Sequence, residues 1–450
     1  MLRRSETPPR RRRSPAVADG VAVFAAAVLV TLAAVIGAIL VERGVPVLAG
    51  APPLLARWLP HVGPGSVFAV LIAAAVVLRG PEIAARLRWR PLLAAGYLTS
   101  VAWTVSLALI DGWTRGVVDQ LTTPTEYIAA VPRVTDIPRM IDTFAGGILS
   151  LQPDSWTTHV AGHPPGALLT FVTLDRLGLS GGAPAGVLCI LVGASAAVAV
   201  AVTLRALGAE DTARAALPFG VLFPGAIWVG ASADGLFAGV LAWGVALLAV
   251  GAVRSGLAGY VAALCGGVLL GFSLYLSYGM VLAGLLPLVV LLVTRRLSPF
   301  VLATLGAAAV VVTFTALGFW WFEGVELVQI RYYQPGEYGL RRPYGYWVWA
   351  NLAALALAVG PATVAGLRRL AAAPRGSPGP LALLVAAAAI AILVADLSGL
   401  SKAEVERIWL LFAVWLVAAC ALLPRSSVRL WLASQAVLAL VINHVLLTTW

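Results

Sequence analysis

Apolar runs long enough to cross a bilayer recur along this chain from Val17 to Leu447, and no other feature constrains its fold as strongly. A spanning helix needs roughly 20 such residues. Backbone polar groups in lipid must find partners within the segment or in a closed barrel. The runs are too long and too continuous for alternating barrel strands, so helices are expected. Only 11% of the residues are charged and 60% are hydrophobic, whereas a soluble domain carries about 25% charged residues. The sequence therefore predicts an all-α, polytopic transmembrane bundle of roughly 13 helices. Their expected positions are 17–41, 64–79, 91–110, 184–204, 215–231, 236–253, 258–275, 279–294, 299–320, 346–366, 380–396, 408–424 and 429–448.

Charge placement supplies an orientation. A net charge of +11 would suit a nucleic-acid binder, but the basic residues stand in short clusters at the ends of apolar runs, which excludes that partner. The basic tail 1–16 puts the N-terminus in the cytoplasm by the positive-inside rule. Alternation from there puts 20 basic and 5 acidic residues inside, against 10 basic and 14 acidic outside. The inner set includes Arg79, Arg205, Arg214, Arg368, Arg369, Arg375 and Arg429. All basic residues but Lys402 are arginines, and with the Ala, Gly and Val bias this suggests a bacterial plasma-membrane protein. The transmembrane domain 17–450 then carries three exterior loops, 111–165, 321–345 and 396–407. The stretch 166–179 is too short and too polar to span, and is expected as a re-entrant or interfacial helix.

Candidate chemistry collects in those loops. Asp111, at the outer end of the third helix, and Glu126 in PTEY are carboxylates placed to act as a general base or to hold a sugar hydroxyl. A plain helix-end charge explains either one equally well. His159 and His163 have the four-residue spacing of metal ligands on a helix. Gly162 and the Pro164–Pro165 pair oppose a helix through both, so the prolines are expected to start the next helix, leaving His163 as a substrate or phosphate contact. Asp234, in SADGLF, is an ionisable residue at membrane depth and is functional by default, with a turn carboxylate as the alternative. In the loop 321–345, Arg331, Arg341 and Arg342 present guanidinium forks suited to phosphate. Tyr332 and Tyr344 offer faces for a sugar ring or for an interfacial belt. At the last loop, Asp396, Lys402, Glu404, Glu406 and Arg407 crowd one helix mouth. Ser401 and Glu404 fit a capping box, while Lys402 and Arg407 oppose the helix dipole unless an anion binds there. No motif demands a cofactor, and a divalent cation remains admissible.

These features resemble the GT-C glycosyltransferases, membrane enzymes that use a polyprenyl-phosphate-linked sugar on the non-cytoplasmic face, including mannosyl-, arabinosyl- and aminoarabinose-transferase types. His163-Pro164-Pro165-Gly166 followed by Leu177-Gly178 is similar to their proline-rich start after a long exterior loop. Asp234 matches a further exterior acid, and SKAEVERIWL is similar to a stretch in bacterial membrane proteins of this kind. The long loop here follows the third helix instead of the first, which implies an extra N-terminal pair. The resemblance implies an inverting transfer from a polyprenyl-phosphate sugar to a glycan, lipid or protein acceptor of the cell envelope. It makes Asp111 first, then Glu126 or Asp234, the catalytic carboxylate, with arginines and Lys402 on the phosphate. Two other readings stand beside it: a transporter or flippase of envelope precursors, and a non-catalytic subunit of an envelope complex.

Overall fold

The structure is a computed structural model and describes residues 15–230, 232–373 and 379–449, apart from the side chain of Tyr338. Most of the basic tail and Arg375 lie outside the described residues. Helix is found within each of the 13 expected segments, although 215–231 and 346–366 are interrupted and the end of 429–448 is strand. Among the described residues, nine helices are long and apolar enough to cross a membrane: Pro15–Glu42, Gly65–Arg86, Trp89–Ala108, Gly182–Ala206, Ala233–Val253, Leu257–Leu274, Leu297–Ala316, Pro380–Leu397 and Val428–Val445. Three expected spans are shorter or interrupted: Glu210–Val221 with Ala226–Val229, Tyr278–Thr294, and Leu410–Leu422. The chain is a multi-pass membrane protein. Large apolar side chains such as Phe24, Val67, Leu98 and Val312 stand exposed on the long helices, where lipid would cover them.

Small residues set the tightest packing. Gly251 on Ala233–Val253 lies against Ala263, and Gly267 and Gly271 on Leu257–Leu274 lie against the backbone of Ala303 and Ala307. Without a hydrophobic force between helices in lipid, such close approach supplies the dispersion contacts that hold the bundle.

The expected straight span 346–366 is corrected. Tyr344–Val359 runs for about 24 Å at 1.5 Å per residue, and the chain then turns by 108° at Gly360 into Pro361–Ala371. Gly360 sits at φ +79°, in the left-handed region that a side chain disfavours. The break frees backbone groups, and Gln435, fully buried on Val428–Val445, satisfies them. Its Nε2 donates to the Val359 carbonyl at 2.9 Å, and its Oε1 accepts from Ala362 N at 3.2 Å. Gln435→Leu is expected to strand Ala362 N, at about 1–3 kcal/mol, while the Val359 carbonyl still accepts from Thr363 Oγ1 at 2.7 Å. A thermal unfolding midpoint in detergent that does not fall would contradict this role.

Charges sort to the two ends of the bundle. At one end Asp19 is buried between Arg368 (2.5 Å) and Arg369 (2.6 Å), Arg214 pairs with Glu210, and Arg429 with Glu82. At the other end lie the pairs of residues 61–159, 234, 331–342 and 404–407. Every ion pair among the described residues joins partners from one end. The second end carries loop 111–165 and is the loop end of the bundle. There the strand Ala56–Trp58 pairs antiparallel with Leu446–Thr448, tying the connection after the first helix to the last helix. The stretch 166–179 forms the helix Pro165–Arg176, started by its prolines.

Candidate functional site

Four separate parts of the chain converge at the loop end. Ser232 caps the helix Ala233–Val253 by accepting from Asp234 N at 3.1 Å, which seats the Asp234 carboxylate in the first turn. Tyr127 opens a short helix directly after Glu126, and Thr158–Ala161 forms another that carries His159. Val405–Ile408 carries Arg407. Glu126, Asp234, Glu404 and Arg407 are all buried, so their charges must be satisfied internally.

Arg407 is the hub. Its Nη1 donates to Asp234 Oδ2 at 2.5 Å, and its Nη2 donates to Glu404 Oε2 at 2.7 Å and to His159 Nε2 at 3.0 Å. Because His159 Nε2 accepts, its proton is assigned to Nδ1, which faces Glu126 Oε1 and the Thr125 carbonyl, both at 3.1 Å. Burial, with Arg407 adding to it, pushes His159 down to about 3, so the ring is neutral. Burial pushes Glu126 up to about 8, against the pull of Arg407. Burial would also raise Glu404, but Arg407 and Arg342 outweigh it and hold that carboxyl at about 2. The same buried cluster thus contains one firmly ionised carboxylate and one that exchanges its proton near physiological pH. Pairs of acids split in this way are characteristic of acid–base sites.

The helix start at this mouth differs from the expected capping box. Ala403 and Glu404 both have left-handed backbone, at φ +69° and +61°, and Glu404 makes no side-chain cap. The helix begins only at Val405, and the Glu404 carboxylate serves Arg342 Nη2 (2.7 Å) and Arg407 instead. Left-handed conformations of this kind outside glycine persist where the surroundings enforce them, and they cluster at functional sites. The clash of Arg407 with the helix dipole is thus relieved by protein carboxylates.

Lys402 differs from its neighbours. It is buried, its Nζ donates to the Gly339 carbonyl at 2.6 Å, and it stands 5.7 and 5.6 Å from the Tyr332 and Tyr333 ring centres. No carboxylate pairs with it among the described residues. An ammonium has three donors, and burial with Arg342 nearby lowers its proton affinity. Arg342 also donates to the Lys402 carbonyl at 2.7 Å.

Other expected site residues stand elsewhere. Asp111 pairs with His61 at 2.5 Å and Arg115 at 3.6 Å, in a separate cluster that contains neither Glu126 nor Asp234. Arg331 is occupied in structure: it donates to the Ile148 and Trp156 carbonyls and pairs with Glu337. Arg341 is exposed, Tyr344 donates to the Leu397 carbonyl, and Asp396 accepts from Asn351 at 2.8 Å. His163 Nδ1 donates to the His159 carbonyl at 2.7 Å, with the Tyr127 hydroxyl 2.9 Å away. His159 and His163 do not form a metal site, because no group of three or more His, Cys, Asp or Glu among the described residues is arranged to hold one.

Tyr127 and Thr125, which frame Glu126 and His159, carry no signal in the sequence beyond sitting in the same loop. Asn351 and Glu406 likewise gain meaning only from what they touch. Glu406 accepts from Leu55 N at 3.2 Å, and burial pushes it up to about 7.

No family model matches the sequence, and no curated protein matches it. Among solved structures, ArnT from Cupriavidus metallidurans in the apo state is similar at 19% identity and a TM-score of 0.45. The same protein bound to undecaprenyl phosphate is similar at 20% identity and a TM-score of 0.43. Each likeness covers 74% of this chain and 60% of the other, so the chain spans about three-fifths of the length of the structures it matches.

Proposed function

We propose that this protein is a membrane glycosyltransferase of the GT-C type, moving a sugar from a polyprenyl phosphate to a cell-envelope acceptor at the loop end of the bundle. One observation carries the reading: the buried network centred on Arg407, in which a proton-exchanging Glu126 lies beside His159 in the field of Arg407, and Glu404 links Arg407 to Arg342. Transfer from a lipid phosphate needs a base for the acceptor hydroxyl and positive charge for the leaving phosphate. The network offers both, at the ends of membrane-spanning helices where a lipid headgroup sits.

In this reading the acceptor oxygen attacks the anomeric carbon and the bond from that carbon to the phosphate oxygen breaks. The electron pair leaves with the phosphate, and the acceptor proton passes to the Glu126 carboxylate. A single displacement inverts the anomeric centre. Lys402, which has no carboxylate partner among the described residues, and Arg342 hold the phosphate. Arg407 fixes Asp234, Glu404 and His159 in place around Glu126. Asp111 stands outside this assembly, so the catalytic role that the resemblance implies for it passes to Glu126. The described residues offer no three-donor set for a metal, and no step is routed through one.

Broken helices are also used by transporters. At Gly360, however, the Val359 carbonyl accepts from Gln435 Nε2 and Thr363 Oγ1, and Ala362 N donates to Gln435 Oε1, so these two groups face protein partners and lend the transporter reading no support.

The test is transfer from a panel of radiolabelled polyprenyl-phosphate sugars, with undecaprenyl phosphate as the carrier, in membranes containing the protein. Product formation from at least one donor is expected. Absence of transfer from every donor, with protein that still unfolds cooperatively on heating, would falsify the reading.

A further inference from the structure

His163 touches each of the three arms that carry Glu126, His159 and Asp234. We propose that it is a positioning residue of this site: its ring holds the Glu126–His159 pair against the helix of Asp234 and so shields the Glu126 carboxyl from water. The inference rests on the reading of Glu126 as the base.

Glu126 and His159 stand on elements that cannot hold themselves. The helices Tyr127–Ala130 and Thr158–Ala161 have four residues each. Helices that short are not stable alone, because nucleation fixes several residues for one hydrogen bond. The two segments are joined where His159 N and Nδ1 both donate to the Thr125 carbonyl, at 3.0 and 3.1 Å. His163 then closes the second helix, its Nδ1 donating to the His159 carbonyl at 2.7 Å. The same nitrogen lies 2.9 Å from the hydroxyl of Tyr127, the residue directly after Glu126. The His163 ring also packs on Phe237, 5.5 Å between centres, in the helix Ala233–Val253 that carries Asp234. Tyr127 in turn packs on Phe171 of Pro165–Arg176 at 5.1 Å. One imidazole therefore bridges the Glu126 segment, the His159 segment and the Asp234 helix, and it acts on the acids through these neighbours.

Burial lowers the proton affinity of His163 and Arg407 adds to this, while Asp234 and the His159 carbonyl oppose it. The ring is neutral near pH 7, and its proton is assigned to Nδ1 by the carbonyl it faces. Glu126 is faced by His159 and lies in the fields of Arg407, Asp234 and Glu404, yet burial is the largest influence on it. A carboxyl that holds its proton because water is excluded must release it more readily once water enters. Loss of the His163 contact therefore moves the Glu126 titration toward the ordinary glutamate value. Misplacement of such a pair by about 1 Å can cost about 10²-fold in rate. A side chain that merely filled space would lower stability when removed and leave the titration in place.

The experiment follows the Glu126 carboxyl by pH-difference infrared spectroscopy on the full chain in nanodiscs, its band identified by its loss in Glu126→Gln. No substrate is needed. His163→Leu, which keeps bulk and removes the donor, is expected to lower the Glu126 midpoint by at least about one pH unit. His163→Asn, whose amide nitrogen stands near the position of Nδ1, is expected to restore it. Tyr127→Phe, which removes one oxygen from the same contact, carries the test if the leucine variant unfolds, and is expected to lower the midpoint in the same direction. Where transfer is measured, the alkaline limb of kcat/KM should shift with the infrared midpoint, and the plateau of His163→Leu should fall by about 10–100-fold. A shifted midpoint in a protein that transfers from no donor would sink the glycosyltransferase reading and leave His163 in this role. An unshifted midpoint in His163→Leu, or in Tyr127→Phe where that variant stands in, would overturn the role, as would failure of asparagine to restore a shifted one.

Discussion

Arg407→Lys is expected to lower the rate of sugar transfer by about 10²–10³-fold, the usual cost of removing a preorganised electrostatic donor. The charge survives this substitution, but the fork does not. Arg407 reaches Asp234, Glu404 and His159 with two different nitrogens, and a single ammonium on a flexible stem cannot reproduce that geometry. The lysine variant is more informative than Arg407→Ala. Removing the charge outright would leave the buried Asp234 carboxylate without its cation and Glu404 with Arg342 alone, a loss of about 3–5 kcal/mol, and the protein would lose its fold along with its activity. Initial transfer rates and thermal midpoints measured together separate the two effects. If Arg407→Lys keeps both its midpoint and its rate, the network is a structural tie and not part of the reaction.

Glu126→Gln should lower kcat/KM by about 10²–10⁴-fold, the range for loss of a general base, and it should also change the pH profile. In the resting site burial pushes this carboxyl up to about 8. Below that pH it is protonated and cannot accept a proton from the acceptor hydroxyl. Above it the carboxylate form dominates. The wild-type kcat/KM is therefore expected to climb as pH rises through about 8 and then to flatten. His159, pushed down to about 3, stays neutral over this range and adds no limb of its own. In Glu126→Gln the residual rate should be flat over the same window. Persistence of the limb in that variant would assign the titration to another group and remove Glu126 from the role.

Much of the architecture is legible in the amino-acid order. Hydropathy is a sum over neighbouring residues, and the length of an apolar run is fixed by bilayer thickness. The apolar segments and the helices therefore coincide, and the prolines at 164 and 165 mark the start of the helix Pro165–Arg176. The loops in which acids, arginines and tyrosines gather are legible in the same way. The bend at Gly360 is not, because the apolar run continues smoothly through it, and the residue that accommodates the bend, Gln435, lies more than seventy positions away. The Ser401–Glu404 capping pattern misleads for a related reason: Glu404 finds stronger partners in Arg342 and Arg407 than in a helix terminus.

The site itself shows the division most clearly. Asp111 and Glu126 are both loop-end carboxylates near tryptophan or tyrosine, and nothing in their local sequence ranks one above the other. Folding places Glu126 beside His159 and within the field of Arg407, and places Asp111 with His61 and Arg115. Arg331 and Arg342 are likewise equivalent as letters, yet one ties loop carbonyls together and the other meets Glu404. The sequence alone determined that the chain crosses the membrane many times and that its acids, arginines and tyrosines gather in a few loops between the spans, because partitioning between lipid and water acts on each segment separately. Tertiary structure alone decided which of those side chains face each other, because the Arg407–Asp234 contact joins residues 173 positions apart. Coulombic and hydrogen-bonding forces act over a few ångströms of space and carry no trace in the order of the chain.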